Sequence, residues 1–156
     1  AVALTWFDML KALHVKSWTR RGKRHAFATP YFEAFHCALL SSGAGQLLRV
    51  TAGEHIVGYL YNLRRGATIH AYQSGFSYEE GNDRPGYVCH ALAMEHCARH
   101  AATEYDFLAG DNRLKRSFGT TQYVLCWATF SRPTLTLRLE AALRALRGPT
   151  QGTRSS

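Results

Sequence analysis

The sequence predicts an α+β fold, with a mixed, mainly antiparallel sheet of about five strands and helices on both faces. Three observations lead to this fold class. The 156 residues are 46% hydrophobic and 19% charged, a balance that suits one buried core and excludes a disordered chain. Apolar residues recur at helical spacing near the start of the chain and follow a strand pattern in its middle. A helix then separates two strand-like segments, which predicts a crossover to a parallel strand.

Two amphipathic helices open the chain. The first covers residues 4–15, and the second begins at Thr29-Pro30, an N-cap residue followed by proline at the first helical position. Residues 41–43 (SSG) end the second helix. The apolar face of the first helix consists of Leu4, Phe7, Leu10, Leu13 and His14.

Three strands follow as an antiparallel meander. Residues 46–51 and 55–63 form a predicted hairpin around a turn at residues 53–54. After a second turn at residues 65–66, residues 67–76 alternate well enough to be the third strand.

A third long helix is predicted to begin at Pro85-Gly86. Its apolar stripe recurs every three or four residues and should lie across the sheet. The stripe consists of Tyr87, Ala91, Met94, Ala98 and Ala101.

The rest of the chain alternates strands and helices. Residues 104–108 predict a short strand parallel to an earlier one, residues 113–118 a short helix capped by the preceding turn, and residues 122–130 a longer strand. Pro133 begins a final helix, and residues 148–156 have the composition of a disordered tail.

The chain is expected to be one domain, residues 1–147, followed by the tail 148–156. Because it begins at Ala1 without an initiator Met, we expect this domain to be the C-terminal part of a longer protein. No apolar run approaches the roughly 20 residues that span a bilayer. The cysteines lie far apart in apolar segments, so we expect buried, reduced thiols in a cytoplasmic protein. They are Cys37, Cys89, Cys97 and Cys126.

The positive charge is clustered, with 19 Lys and Arg against 11 Asp and Glu and a net charge of +8. One cluster lies in residues 16–24, a second in 113–116 and a third toward the C-terminus. Such clusters favour a polyanionic partner, either nucleic acid, a membrane surface or a phosphate-bearing cofactor. A solvated basic surface without a partner is the alternative.

Three stretches carry a resemblance to a known family: GYLYN at residues 58–62, YQSGF at 72–76, and YDFLAGD at 105–111 followed by Lys115. Together with the element order, they resemble the GNAT superfamily of N-acetyltransferases. Within it, the chain looks similar to the CelD-like accessory acetyltransferases of cellulose biosynthesis and the FemAB-like aminoacyltransferases. The resemblance runs from about residue 5 to 130. Supporting positions are Leu13, His14, Trp18, Pro85, Gly86 and His90.

The resemblance implies a bacterial, cytoplasmic acyltransferase. The co-substrate would be acetyl-CoA or another acyl-CoA without a metal ion, and the acceptor would be the amine of a small molecule or cell-envelope precursor. Two alternatives stay open: aminoacyl transfer from a charged tRNA, with residues 16–25 and Trp18 on the nucleic acid, and a catalytically inert scaffold. The chain departs from the subgroup at Leu114, where relatives usually carry Tyr before the lysine, and it lacks their additional N-terminal portion.

The cofactor site is expected at two places. The superfamily's oxyanion donor, a backbone N–H on the strand before the cofactor helix, maps by resemblance to the stretch Gln73, Ser74, Gly75 and Phe76. The start of that helix could hold a pyrophosphate through backbone N–H groups and a neighbouring guanidinium, although Pro85 cannot donate. These residues are Arg84, Gly86, Tyr87 and Val88. An ordinary helix start is the alternative interpretation.

Three residues are candidates for the catalytic base that deprotonates the amine. His90 and His70 rank equally and Asp106 follows, although each has an ordinary structural explanation and Asp106 could simply pair with Lys115. The acceptor is expected to contact Tyr61, Asn62, Tyr72 and Lys115.

His96 and His100, four residues apart beside Cys97, have a spacing that is compatible with a zinc site. No second ligand pair is evident in the sequence, so these histidines are expected on a solvent-facing side of the helix. A serine hydrolase is disfavoured because the chain has no Gly-x-Ser-x-Gly motif.

Overall fold

A four-stranded sheet forms the centre of the computed structural model. Its strands lie in chain order: β1 (Gly45–Ala52), β2 (His55–Arg65), β3 (Thr68–Phe76) and β4 (Glu104–Asp106). The β1–β2 and β2–β3 pairs are antiparallel, and β4 runs parallel to β3. This confirms the predicted mixed, mainly antiparallel sheet, which has four strands rather than about five.

The structure describes residues 2–25, 27, 29–78, 84–130, 132, 134, 137, 139 and 143. The chain divides into two units, Ala1–Gln122 and Tyr123–Ser156. The sheet belongs to the first unit, together with the helices α1 (Val2–Arg20), α2 (Pro30–Ser41), α3 (Pro85–Arg99) and α4 (Arg113–Phe118). No helix in the described ranges is long and apolar enough to cross a membrane.

Local capping explains where two of the helices begin. The Thr29 hydroxyl accepts a hydrogen bond from the Phe32 N–H (3.4 Å) in front of Pro30, which opens α2. Asn112 caps α4 in the same way, with 3.0 Å between its side-chain oxygen and the Lys115 nitrogen. Both helices therefore start where the sequence predicts.

Helices pack on both faces of the sheet. On one face, α1 and α2 cover β2, with a core that consists of Phe7, Leu10, Phe27, Leu40, Tyr59 and Tyr61. On the other face, α3 lies on a second core that consists of Val50, Leu60, Cys89 and Ala93. Because side chains alternate along a strand, Tyr59 and Tyr61 belong to the first core while Leu60 belongs to the second.

Gly75 permits α1 to lie against β3. A Cβ atom at this position would be 2.5 Å from the Leu10 carbonyl oxygen and 3.0 Å from the Leu13 Cβ. Only glycine fits so close a backbone approach. His14, one turn further along α1, is hydrogen-bonded through Nδ1 to the Ser74 carbonyl oxygen (2.9 Å). Together these contacts fix α1 along the C-terminal half of β3.

The apolar stripe predicted for α3 is wrong. The helix buries Cys89, Ala93 and Cys97, whereas Ala91 and Ala98 of the predicted stripe are exposed. Alanines contribute little apolar area, so their spacing does not determine which side of a helix packs on the sheet.

The predicted fifth strand, residues 122–130, is not a strand, because residues 121–130 have no assigned secondary structure. A strand needs the backbone hydrogen bonds of a neighbour, which an apolar sequence alone does not supply. The predicted final helix lies largely outside the described residues, as does the whole tail 148–156. Cys89 and Cys97 are buried as predicted, whereas Cys37 is half-buried and Cys126 is exposed.

Candidate active site

The strands β3 and β4 separate after a short parallel contact. Thr68, Ile69 and His70 pair with Glu104, Tyr105 and Asp106, and β4 ends there. β3 continues to Phe76, paired with β2 along its other edge. Over residues 71–76, no strand in the described part of the chain pairs with the β4 side of β3. We call this gap the fork; its open edge presents backbone N–H and C=O groups.

The predicted oxyanion segment, Gln73 to Phe76, lies on this open stretch. Gly75 is buried and the other three residues are half-buried. That one of these residues supplies the backbone N–H group for the oxyanion stays a prediction.

His70 and Asp106 lie together where the fork closes. His70 Nδ1 is 3.1 Å from Asp106 Oδ2, and the other carboxylate oxygen accepts the Leu108 N–H at 2.7 Å. The carboxylate is thus held from two sides. Because its oxygen can only accept a hydrogen bond, the neutral His70 imidazole must carry its proton on Nδ1. The lone pair of His70 is therefore on Nε2. The side chains are 28% and 41% exposed, so a ligand can reach them.

His90 lies inside the fork, on the α3 side of the sheet. Its ring centroid is 6.1 Å from that of Phe76 on β3 and 5.2 Å from that of Phe107, just beyond β4. Nδ1 is 3.0 Å from the Tyr105 hydroxyl. Burial, with a smaller effect of the Lys115 charge, lowers the pKa of His90 to about 4. The ring is consequently neutral at pH 7 and a weaker base than an exposed histidine.

Lys115 holds the loop that follows β4. Its ammonium donates hydrogen bonds to the carbonyl oxygens of Leu108 and Ala109. Burial lowers the pKa of Lys115, while the carboxylates of Asp106 and Asp111 act in the opposite direction. The same charge acts on His90, so Lys115 lies near both candidate bases, His90 and Asp106.

The start of α3 packs against α4. A Cβ atom on Gly86 would be 3.2 Å from the Phe76 ring and 3.3 Å from Leu114. The Tyr87 N–H donates to the Arg84 carbonyl oxygen at 3.1 Å, so one donor of the expected pyrophosphate cradle is already bonded. The Arg84 side chain is exposed, with its guanidinium 5.9 Å from the centroid of the Tyr87 ring. Val88 is 48% exposed.

The expected acceptor-binding residues of β2 and β3 lie in or beside the core. Tyr61 is fully buried with its hydroxyl 3.0 Å from His36 Nδ1, and burial raises its pKa to about 12. Asn62 is fully buried and donates to Gln46 at 3.2 Å. Tyr72 is half-buried and stacks on Phe32. These side chains support the sheet in this conformation, whereas Lys115 lies at the fork.

The sequence prediction assigned no role to Tyr105, whose hydroxyl meets His90. Strand alternation in the sequence could have indicated Tyr105, because neighbouring strand residues face opposite sides of the sheet and Tyr105 directly precedes Asp106. Its ring also contacts Phe107, with 5.2 Å between centroids. The fork therefore has a histidine–carboxylate pair at its closed end, and a histidine–phenol pair lies beside it on the α3 side of the sheet.

His96 on α3 and His100 directly after its last residue are both exposed, with ring centroids 4.3 Å apart. No group of three or more metal-ligating side chains occurs among the residues that the structure describes. An open groove of about 500 Å³ runs along β1, lined by Trp6, Leu92 and Ala93 among others, and is separate from the residues of the fork.

The basic segment at the end of α1 is exposed: Lys16, Arg20, Arg21, Lys23 and Arg24. Arg21 reaches the Tyr78 hydroxyl at 3.4 Å. Trp18 stacks on His14, with 5.2 Å between ring centroids and 20° between ring planes, so one face of the indole is already covered.

Comparison with known proteins identifies the family. No curated protein matches the chain. A solved structure, that of a transcriptional regulator from Bacillus halodurans C-125, is 16% identical and superimposes with a TM-score of 0.47 over 78% of this chain and 91% of that one. The family model described as "Acetyltransferase (GNAT) domain" matches residues 3–116, from α1 into α4. The chain therefore belongs to the GNAT acetyltransferase family, whose general reaction is acyl transfer.

Proposed function

We propose that this protein is an acyl-CoA-dependent N-acyltransferase that moves an acetyl or related group from a CoA thioester to an amine by direct attack. The family match supports acyl transfer in general. The observation that carries the proposal is the fork, where residues 71–76 of β3 have no strand on their β4 side in the described part of the chain, directly beside a histidine–carboxylate pair.

The open edge of β3 suits the pantetheine arm of a CoA thioester. That arm contains two amide groups, which can pair with backbone N–H and C=O groups as an added strand does. The direction of β3 leads from His70 toward Phe76, against which Gly86 packs at the start of α3. A thioester close to His70 would therefore direct its phosphates toward the exposed guanidinium of Arg84.

His70 is the proposed general base. Its Nε2 lone pair is available because Asp106 accepts the proton on Nδ1. As Nε2 takes a proton from the amine, the Asp106 carboxylate balances the new charge, and the Leu108 N–H keeps that carboxylate in place. His90 is less suited to this role because its pKa is about 4.

The reaction balances without a covalent enzyme intermediate. The amine nitrogen bonds to the carbonyl carbon, and the electron pair of the C=O bond moves to oxygen. The C–S bond then breaks as the carbonyl re-forms, and the proton held by His70 passes to the departing thiolate. Backbone N–H groups of the stretch Gln73 to Phe76 remain the predicted donors to the oxygen.

Aminoacyl transfer from a charged tRNA is a second candidate, favoured by the exposed basic segment. The sequence has no Asp or Glu between Asp8 and Glu33, and the segment has no ion pair among the described residues. Contacts with a phosphate backbone would make tRNA affinity fall steeply with salt. The covered face of Trp18 disfavours base stacking, so we rank this candidate second.

We further propose that the acceptor is the amine of a small molecule or cell-envelope precursor and that the protein works in the cytoplasm. The four free thiols support a reducing compartment.

Thermal unfolding with and without acetyl-CoA tests the proposal. At a concentration of about 100 times Kd, the ligand should add roughly 2.7 kcal/mol to the stability of the folded state. Acetyl-pantetheine, which lacks the nucleotide, should bind more weakly and isolates the contribution of the open edge. The absence of any shift with acetyl-CoA, CoA or longer acyl-CoAs would exclude acyl-CoA as the donor, and salt-dependent tRNA binding would then support the second candidate.

Transfer itself is measured as thiol release with a panel of primary amines. His70→Gln should keep the acetyl-CoA shift and lose transfer. His55→Gln is the matched control, because His55 lies at the exposed β1–β2 turn. Equal loss of transfer in both variants would argue against His70 as the base.

A further inference from the structure

His90 is a buried histidine without a role in the proposed reaction. It is 8% exposed, and its ring lies between Phe76 on one arm of the fork and Phe107 beyond the other. A polar ring at that position costs desolvation energy unless its nitrogen atoms find partners. Nδ1 is within hydrogen-bond distance of the Tyr105 hydroxyl, so Nε2 is the nitrogen that is left to contact a ligand.

The tautomer of His90 follows from its neighbours. Burial keeps the Tyr105 phenol protonated by raising its pKa, and the Asn62 side chain acts in the opposite direction through a hydrogen bond. A hydrogen bond that lowers the pKa of a phenol is one donated to its oxygen. The phenolic proton itself needs an acceptor, and His90 Nδ1 is the nitrogen that the structure places 3.0 Å from the hydroxyl. An Nδ1 that accepts a hydrogen bond belongs to a neutral imidazole with its proton on Nε2.

One side of the Asn62 amide is held, while its Oδ1 has no hydrogen-bond partner among the described residues. Asn62 is fully buried and donates through Nδ2 to Gln46 Oε1 at 3.2 Å. Gln46 also accepts from the Cys97 thiol at 3.6 Å. The orientation of Tyr105 is thus held by a buried polar network that connects β1 and β2 with α3.

We infer that His90 donates a hydrogen bond from Nε2–H to the thioester carbonyl oxygen, and that Tyr105 is the positioning residue that fixes this tautomer. The inference rests on the proposed function. It gives the two histidines of the fork opposite roles, because His70 presents a lone pair and His90 presents a proton. The nearby ammonium of Lys115 opposes a second positive charge on His90 and so favours its neutral form.

The donated hydrogen bond strengthens during the reaction. As the amine attacks, negative charge moves onto the carbonyl oxygen, and the Nε2–H dipole of the buried His90 ring stabilises it. His90 keeps its proton throughout, while the proton of the amine passes to His70 and then to the thiolate. Loss of one such donor lowers kcat by about 100-fold to 1,000-fold in enzymes where it has been measured.

The first experiment determines the His90 tautomer by ¹⁵N NMR at pH 7, with the signals assigned by their loss in His90→Gln. We expect the proton on Nε2 in the native protein and a mixture of tautomers in Tyr105→Phe, which lacks the phenolic proton. A native His90 protonated on Nδ1, or an unchanged tautomer in Tyr105→Phe, would overturn the inference. This readout does not depend on activity.

The second experiment measures the carbonyl stretch of bound [1-¹³C]acetyl-CoA by infrared spectroscopy. The stretch should fall on binding and return toward its free value in His90→Phe, while His96→Phe on the exposed side of α3 should leave it low. His90→Gln, whose amide can still donate, provides a folded comparison if the Phe variant unfolds. Binding without a His90-dependent change overturns this inference alone, whereas absence of acetyl-CoA binding overturns the proposed function as well.

Discussion

His70 and Asp106 are direct neighbours in the parallel β3–β4 ladder, and their side chains are also in contact, with 3.1 Å between Nδ1 and Oδ2. They are 36 positions apart in the chain, so the pair exists only because the crossover through α3 brings β4 back beside β3. It also lies at the last paired position before the strands separate. A base at this position can meet an acceptor amine while the open edge of β3 holds the donor.

Asp106→Asn should lower transfer about 100-fold while acetyl-CoA affinity stays unchanged. The amide of Asn cannot offer two acceptor oxygens to His70 and to the Leu108 N–H, so the imidazole loses its preferred tautomer. Thiol-release rates and a thermal-shift titration measure the two quantities. Asp111→Asn, an exposed carboxylate paired with Arg116, is the control. An Asp106→Asn variant as active as the control would remove Asp106 from the proposed mechanism.

The unfolding free energy should fall as the pH drops from about 6.5 to about 4. His90 has its pKa lowered to about 4 in the folded chain, so between these values the unfolded state binds more protons. The loss from His90 is on the order of 3 kcal/mol, and burial of His14 and His36 lowers their pKa values and adds to it.

Urea unfolding at pH 7 and pH 4.5 measures this effect. His90→Gln should flatten the pH dependence, whereas His96→Gln, on the exposed side of α3, should not. An unchanged slope in His90→Gln would show that other groups cause the acid sensitivity.

Gly75→Ala should destabilise the fold by about 1–3 kcal/mol, a typical cost of overpacking. The added methyl group would stand 2.5 Å from the Leu10 carbonyl oxygen, so α1 must move away from β3. The shift would also strain the hydrogen bond between His14 and Ser74. Urea unfolding of Gly75→Ala beside Ser74→Ala tests this, and equal midpoints would contradict the close approach.

Lys115→Met should raise the pKa of His90 and loosen the loop after β4. The lysine charge contributes to the low pKa of His90, and its ammonium binds the carbonyl oxygens of Leu108 and Ala109. An NMR titration of His90 and limited proteolysis of the loop measure the two effects. Arg116→Met, one residue further along α4, is the control, since Arg116 pairs with Asp111. If the pKa of His90 is unchanged in Lys115→Met, the lysine charge does not act on His90.

Short-range signals in the sequence determined most of the secondary structure. Thr29-Pro30 and Asn112 start helices because a side-chain oxygen can cap the first turn wherever the chain goes next. The turns at Gly53 and Gly66 have positive φ angles of 59° and 60°, so a local preference of glycine bounds the hairpins. The parallel pairing of the strand after α3 was also predictable, because a strand, helix and strand in sequence connect in this way.

Only the tertiary structure decided which residues meet. The strand-like composition of residues 122–130 could not provide a pairing partner, and the alanines of α3 could not determine its buried side. His70 and His90 were equivalent candidates in the sequence, since the sequence does not show which residues surround a histidine in the folded protein. Packing separated them: one is partly exposed beside a carboxylate, while the other is buried beside a phenol and a lysine charge. The protonation of an imidazole depends on burial and nearby charge, and both arise from contacts between distant parts of the chain.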